Sequence, residues 1–191
     1  DVAVVGSDES DRDDAVTEIE KHGRRALSIR ADVADGTDVA DAVQRVVSDL
    51  GRIDILVNNA RVEFGKAFAD VTEAEWQTVM DFNVKSMFLC SQAAGRRMLE
   101  QGGGRIVNIG SGLAARGLGN SVAACAGQGA IHQLTSALAL EWARDNVRVN
   151  AIGAGWVTTD PQTEESQKER LVRYIPSRRR GHPTDLCGLL V

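Results

Sequence analysis

"GRIVNIGS" (residues 104–111) decides the fold. Ile106, Val107 and Ile109 make a short, dense apolar run that ends in small polar residues, Gly110, Ser111 and Gly112. Such a run fits a strand buried on both faces. A long helical pattern follows over about 122–143, with Ile131, Leu134, Leu138 and Trp142 along one side. Then comes "VRVNAIGAG" (147–155), a second strand with a glycine-rich end. Two strands joined by a helix form the unit of a parallel sheet.

The same alternation extends toward the N-terminus. "IDILVNNA" (53–60) reads as a strand running into a polar turn, "RALSIR" (25–30) as another, and "VAVVG" (2–6) as a third. A helix is expected over about 11–22, with Val16 and Ile19 inward. A second covers Thr37 to Leu50, with Val39, Val43, Val46 and Val47 inward and Gly51 closing it. Thr72 and Glu75 have the spacing of a capping box, and open a helix that runs, with a bend, to about Gln101. Alternating strands and helices predict an α/β, doubly wound, Rossmann-like parallel sheet in three α/β/α layers. Ligands of such sheets bind at the carboxyl ends of the strands. Here those ends are "GSDES", "RADVAD", "NNAR", "GSG" and "GAGWVTT".

Composition narrows the classes. The chain has 191 residues, 43% hydrophobic and 26% charged, with a formal net charge of -5. That suits a single domain spanning 1–191 and argues against nucleic acid, because no basic stripe dominates. Arg178, Arg179 and Arg180 form the one basic run, read as a solvated loop rather than a phosphate or RNA site. Cys90, Cys125 and Cys187 are an odd count without metal-ligand spacing. They imply a reducing, cytoplasmic setting with no metal site. No apolar run approaches the roughly 18 residues of a membrane span.

The rim motifs, in this order, resemble the short-chain dehydrogenase/reductase family, and the resemblance covers essentially the whole chain. "ADV" (31–33) is similar to the family's adenine-contacting turn, and "ILVNNA" (55–60) to its NNAG motif. "FNVKSMFLCSQAA" (82–94) resembles the helix carrying the active-site asparagine, here Asn83. "GRIVNIGS" resembles the strand ending in the catalytic serine, here Ser111. "ALALEWARDNVRVNAIGAGWVTTD" (137–160) resembles the helix, strand and PG loop that follow. The resemblance implies NAD or NADP as cofactor and hydride transfer between alcohol and ketone. It implies cofactor contacts at Ser7, Asp32, Val33, Asn59, Ala60, Gly155, Val157 and Thr159. Ser7 is neither acid nor base, so the choice between NAD and NADP stays open.

In the family a tyrosine and a lysine four residues later do the proton chemistry and hold the ribose. One helical turn separates them, so they point the same way. Thirteen residues on from Ser111 stands Ala124, and the lysine position is Gln128. "GAIHQLTSALALEWA" (129–143) fixes that register without a gap. The stretch "AACAGQGA" (123–130) is thus a YxxxK motif without its reactive pair. The sole tyrosine is Tyr174, and Lys21, Lys66, Lys85 and Lys168 all lie off this helix. Arg61 replaces the glycine of NNAG, and Ala154 the proline of the PG loop.

The family's first strand with its Gly-rich turn, and its last strand, have no counterpart in the sequence. The chain is therefore expected to be a piece of a longer one. With the strand order of the family, the first strand is central. The strands beginning at Val2 and Ile53 are expected to share no neighbour.

Each site residue has a second reading. Ser111 orients a ligand or closes a turn. Asn83 holds a relay water or shapes its helix, and Asp32 contacts adenine or caps a turn. His132 is a packed or interface residue rather than a base. Three functions stay open: a catalytically silent structural or regulatory subunit, an oxidoreductase with a non-standard proton donor, and a small-molecule binding module. In the family, the helices matching 83–101 and 122–143 pack against a partner. A homo-oligomer, or a hetero-oligomer with an active homologue, is expected through them.

Overall fold

The computed structural model describes residues 1–159 and 170–190. Its strands are β1 (Val2–Gly6), β2 (Ala26–Arg30), β3 (Ile55–Asn58), β4 (Gly104–Ser111) and β5 (Val147–Ala154). Its helices are α1 (Glu9–Lys21), α2 (Gly36–Leu50), α3 (Glu73–Met80), α4 (Ser86–Gln101), α5 (Val122–Glu141), α6 (Arg170–Tyr174) and α7 (Thr184–Leu190). Every strand pairing is parallel, as the alternation requires.

The strands form two sheets rather than one. β1 pairs with β2, and separately β3, β4 and β5 pair in that order. β1 and β3 share no hydrogen-bonded neighbour among the described residues, as the sequence implied. Val2 and Val5 on β1 and Ile55 and Val57 on β3 are exposed in consequence. β3 is also shorter than the run 53–60, because Ile53 and Asp54 precede the ladder and Asn59 and Ala60 leave it beyond Asn58.

The two halves meet through helices. Val46 of α2 packs against both apolar clusters, the one around Ile29, Ala31 and Ala42 and the one around Met98, Ile106, Val147 and Val149. Arg97 on α4 donates to Gln44 on α2 at 2.8 Å. α5 then lies so close to α4 that a Cβ on Gly95 would sit 2.5 Å from the Trp142 ring. Met98 and Ile106 are wholly buried, each contributing roughly 1.5–3 kcal/mol.

Helix ends follow their sequence signals. Thr72 and Glu75 form the capping box, with Glu75 N–H donating to Thr72 Oγ1 at 3.2 Å and Thr72 N–H to Glu75 at 2.8 Å. Gly51 ends α2 at φ 90, in the left-handed region that favours glycine. The bend before α4 is a π-helical turn, Asp81–Lys85, with Asn83 inside it. Such turns often mark functional sites.

Candidate functional site

The carboxyl ends of β4 and β5 run side by side, Ser111 opposite Ala154. Beneath them lies a buried polar chain. Asn58 donates to Ser91 Oγ at 3.0 Å and to Asn108 Oδ1 at 2.8 Å. Asn108, fully buried, donates to Thr135 Oγ1 at 2.8 Å, and the Thr135 hydroxyl in turn donates to Ile131 O at 2.8 Å. Every side chain in this chain has a partner, which low-dielectric burial demands. It locks β3, β4, α4 and α5 together directly under the rim.

Above it opens a cavity of about 470 Å³, lined by Asn83, Ser111, Ala124, Gln128, Arg61 and Arg116 among others, Gly155 and Val157 included. The structure therefore brings together the serine, the asparagine and both replaced positions. Asp32, Val33, Ser7, Asn59, Ala60 and Thr159 do not line it. Val33 is buried in the core instead.

Gln128 has a defined job. It is 8% exposed, and its Oε1 accepts the Ser111 N–H at 2.7 Å. Gly110 makes room for that amide, since a Cβ there would stand 3.2 Å from Oε1. Ser111 Oγ accepts the Leu113 N–H at 3.3 Å, closing the turn after β4. Ala124 offers only a methyl group.

Both polar atoms of Asn83 have a backbone partner. Its Oδ1 accepts the Val62 N–H at 2.7 Å, and its Nδ2 donates to Val62 O at 3.0 Å. This pair of bonds clamps the loop after β3 onto the π turn. Asp32 likewise closes its own turn, accepting the Ala34 N–H at 2.9 Å. Arg61 pairs with Glu63 at 3.0 Å. The loop after β5 is tied by Gly181, which donates to Trp156 O at 2.8 Å and accepts from Thr158 N–H at 3.0 Å.

The family implies a nicotinamide dinucleotide. Its ribose anchor is replaced here by Gln128, whose oxygen is already bound, and Asp32 spends an oxygen on its turn. The residues present do not reproduce the family's clasp. Among the described residues, no group of His, Cys, Asp and Glu could hold a metal ion.

His132 is exposed, so it is not packed within the chain. In the basic run, Arg179 pairs with Asp185 at 2.6 Å. The variable loop of about 158–180 falls largely on 160–169, outside the described residues. Of the apolar residues on α4 and α5, Met87, Ala94, Met98 and Ile131 belong to the chain's own core. Phe88 and Leu140 remain exposed. Among the described residues, no helix is long and apolar enough to cross a membrane.

Sequence reasoning did not single out Ser91, Asn108 or Thr135. The one available signal was a polar residue at the centre of an apolar strand, Asn108 within "GRIVNIGS". It also missed Arg12, which is buried and donates to Gly6 O and Asp8 O at 2.8 Å each and to Ser28 Oγ at 3.1 Å.

Parallel βα units with polar residues gathered at the strand ends define a doubly wound, Rossmann-like α/β domain. Residues 1–170 match the family described as short chain dehydrogenase, and the chain belongs to it. It is 34% identical over 190 residues to 2-dehydro-3-deoxy-D-gluconate 5-dehydrogenase of Dickeya dadantii strain 3937, covering 97% of this chain and 75% of that protein. A solved structure of a candidate short-chain alcohol dehydrogenase from Sinorhizobium meliloti 1021 superposes with a TM-score of 0.92 at 38% identity, covering 99% of this chain and 77% of the other. A gluconate 5-dehydrogenase from Burkholderia cenocepacia J2315, solved with NADP and tartrate, gives 0.88 at 25% identity, covering 98% and 75%.

Proposed function

We propose that this family member is catalytically silent and serves as a structural or regulatory subunit in the cytoplasm. Gln128 carries the reading. A neutral amide, bound to the Ser111 backbone, stands where the family has its lysine, and Ala124 stands where it has its proton donor. Losing a positioned general acid costs typically 10²- to 10⁴-fold in rate. Weak or absent nicotinamide binding accompanies this, with a Kd above about 10 μM, roughly -6.8 kcal/mol. Phe88 on α4 and Leu140 on α5 leave apolar surface for a second copy or an active homologue. Light scattering at micromolar concentration checks this, and a monomer mass would remove the assembly.

A second reading is an NAD(P)-dependent oxidoreductase using water as proton donor. The retained Asn58, Asn59, Asn83 and Ser111 favour it, as do the dehydrogenase relatives. The engagement of both Asn83 polar groups by Val62 weighs against it.

A fluorescence titration with NADH and NADPH, paired with a turnover assay, separates the readings. No binding supports the silent subunit. Binding below about 10 μM with turnover supports the oxidoreductase, and binding without turnover makes the chain a small-molecule binding module.

A further inference from the structure

Three side chains on the cavity wall, Gln128, Ser111 and Arg116, carry donors without an acceptor among the described residues. Gln128 is more than nine-tenths buried, and its Oε1 is spent on Ser111 N–H. That bond fixes the amide's orientation, so Nε2 is the group left over. It has no acceptor among the described residues and is not sealed from the cavity that Gln128 lines. Ser111 Oγ accepts from Leu113 N–H, and its own proton has no acceptor among the described residues.

Arg116 stands on the same cavity wall, its guanidinium 5.8 Å from the centre of the Trp156 ring. Stacking on an aromatic face positions a guanidinium without neutralising it. Among the described residues Arg116 has no carboxylate partner. The cavity's one carboxylate, Glu63, is paired with Arg61 and points largely to solvent. Leu113, Leu118, Val157 and Phe64 supply apolar wall between these donors. The volume of about 470 Å³ falls within the usual range for small-ligand sites.

We propose that this cavity binds a small organic acid, its carboxylate held by Arg116, Gln128 Nε2 and Ser111 Oγ, with no nicotinamide cofactor required. Charge-assisted bonds from a guanidinium are the strong ones, and a carboxylate can take two at once. Removing the tyrosine and lysine thus converts a proton-transfer site into an array of donors. The inference goes beyond the silent-subunit reading, because it assigns a ligand and is tested without turnover.

The probe is D-gluconate, with D-sorbitol as its uncharged counterpart, titrated into the whole chain by calorimetry and by ligand-observed NMR. D-Gluconate is expected to bind in the millimolar range, about -4 kcal/mol, and D-sorbitol at least about tenfold more weakly. Arg116→Gln alters an exposed residue and should weaken D-gluconate about tenfold or more. Gln128→Glu keeps an acceptor for Ser111 N–H but presents a carboxylate to the ligand, and should weaken it likewise. Circular dichroism confirms that both variants fold. No D-gluconate binding up to about 50 mM, equal binding of D-sorbitol, or undiminished binding by both variants would overturn the proposal.

Discussion

The β1–β2 half and the β3–β4–β5 half obey the same βα grammar and reach different degrees of burial. In the larger half, β4 has a partner on each side, Ile106 is wholly buried, and four polar side chains satisfy one another beneath the rim. In the smaller half neither strand is central, and Val2 and Val5 meet solvent. Its one buried charge, Arg12, donates twice to the turn after β1 and once to Ser28 on β2. A strand's local sequence makes it a strand; only two neighbours make it a core. The candidate site sits on the half that has them.

The largest effect should separate the halves by burial. Ile106→Ala leaves a cavity in a packed core and should cost about 2–5 kcal/mol. Val5→Ala, on an open edge, should cost under about 1 kcal/mol. Urea unfolding monitored by fluorescence measures both, and equal losses would break the comparison.

A polar version comes next. Asn108→Leu strips the acceptor from Asn58 and the donor from Thr135, both buried, and should cost about 1–3 kcal/mol per orphaned group. Ser28→Ala removes one of Arg12's three bonds and should cost about 1 kcal/mol. Reversal of that order in the same unfolding measurement would refute the claim that the buried chain organises the site half.

The smallest effect is acid-sensitive. Glu75 falls from an ordinary 4.5 to about 2, first through its bond with Lys66 and then through the Thr72 backbone bond. A carboxyl with a depressed folded value stabilises the fold above its unfolded value. The contribution is therefore full above about pH 4.5 and fades as pH falls toward 2. Glu75→Gln should flatten that part of the profile of unfolding midpoint against pH; an unchanged profile would assign the acid sensitivity elsewhere.

Much of this was legible in the sequence. The period of apolar residues gave the strands, and Thr72 with Glu75 gave the start of α3. Counting from Ser111 gave Ala124 and Gln128 their places, and the structure sets both on the cavity wall. What residue order could not give was pairing across the chain. That Asn83 reaches Val62, that Gln128 turns back to Ser111 N–H, and that Asn58 meets Asn108 depend on contacts 17–50 residues apart. Arg12 was invisible for a related reason: a charged residue on an exposed-looking helix reads as surface until carbonyls are seen to surround it.

Turnover is the most direct test of whether the chain is silent. Purified chain, supplied with saturating NADH or NADPH and a panel of ketones and keto acids, should oxidise cofactor no faster than the protein-free control. A kcat anywhere in the ordinary enzymatic range of about 1–10³ s⁻¹ would contradict it, and would mean that Ser111 and bound water suffice where Ala124 and Gln128 have taken the family's reactive pair.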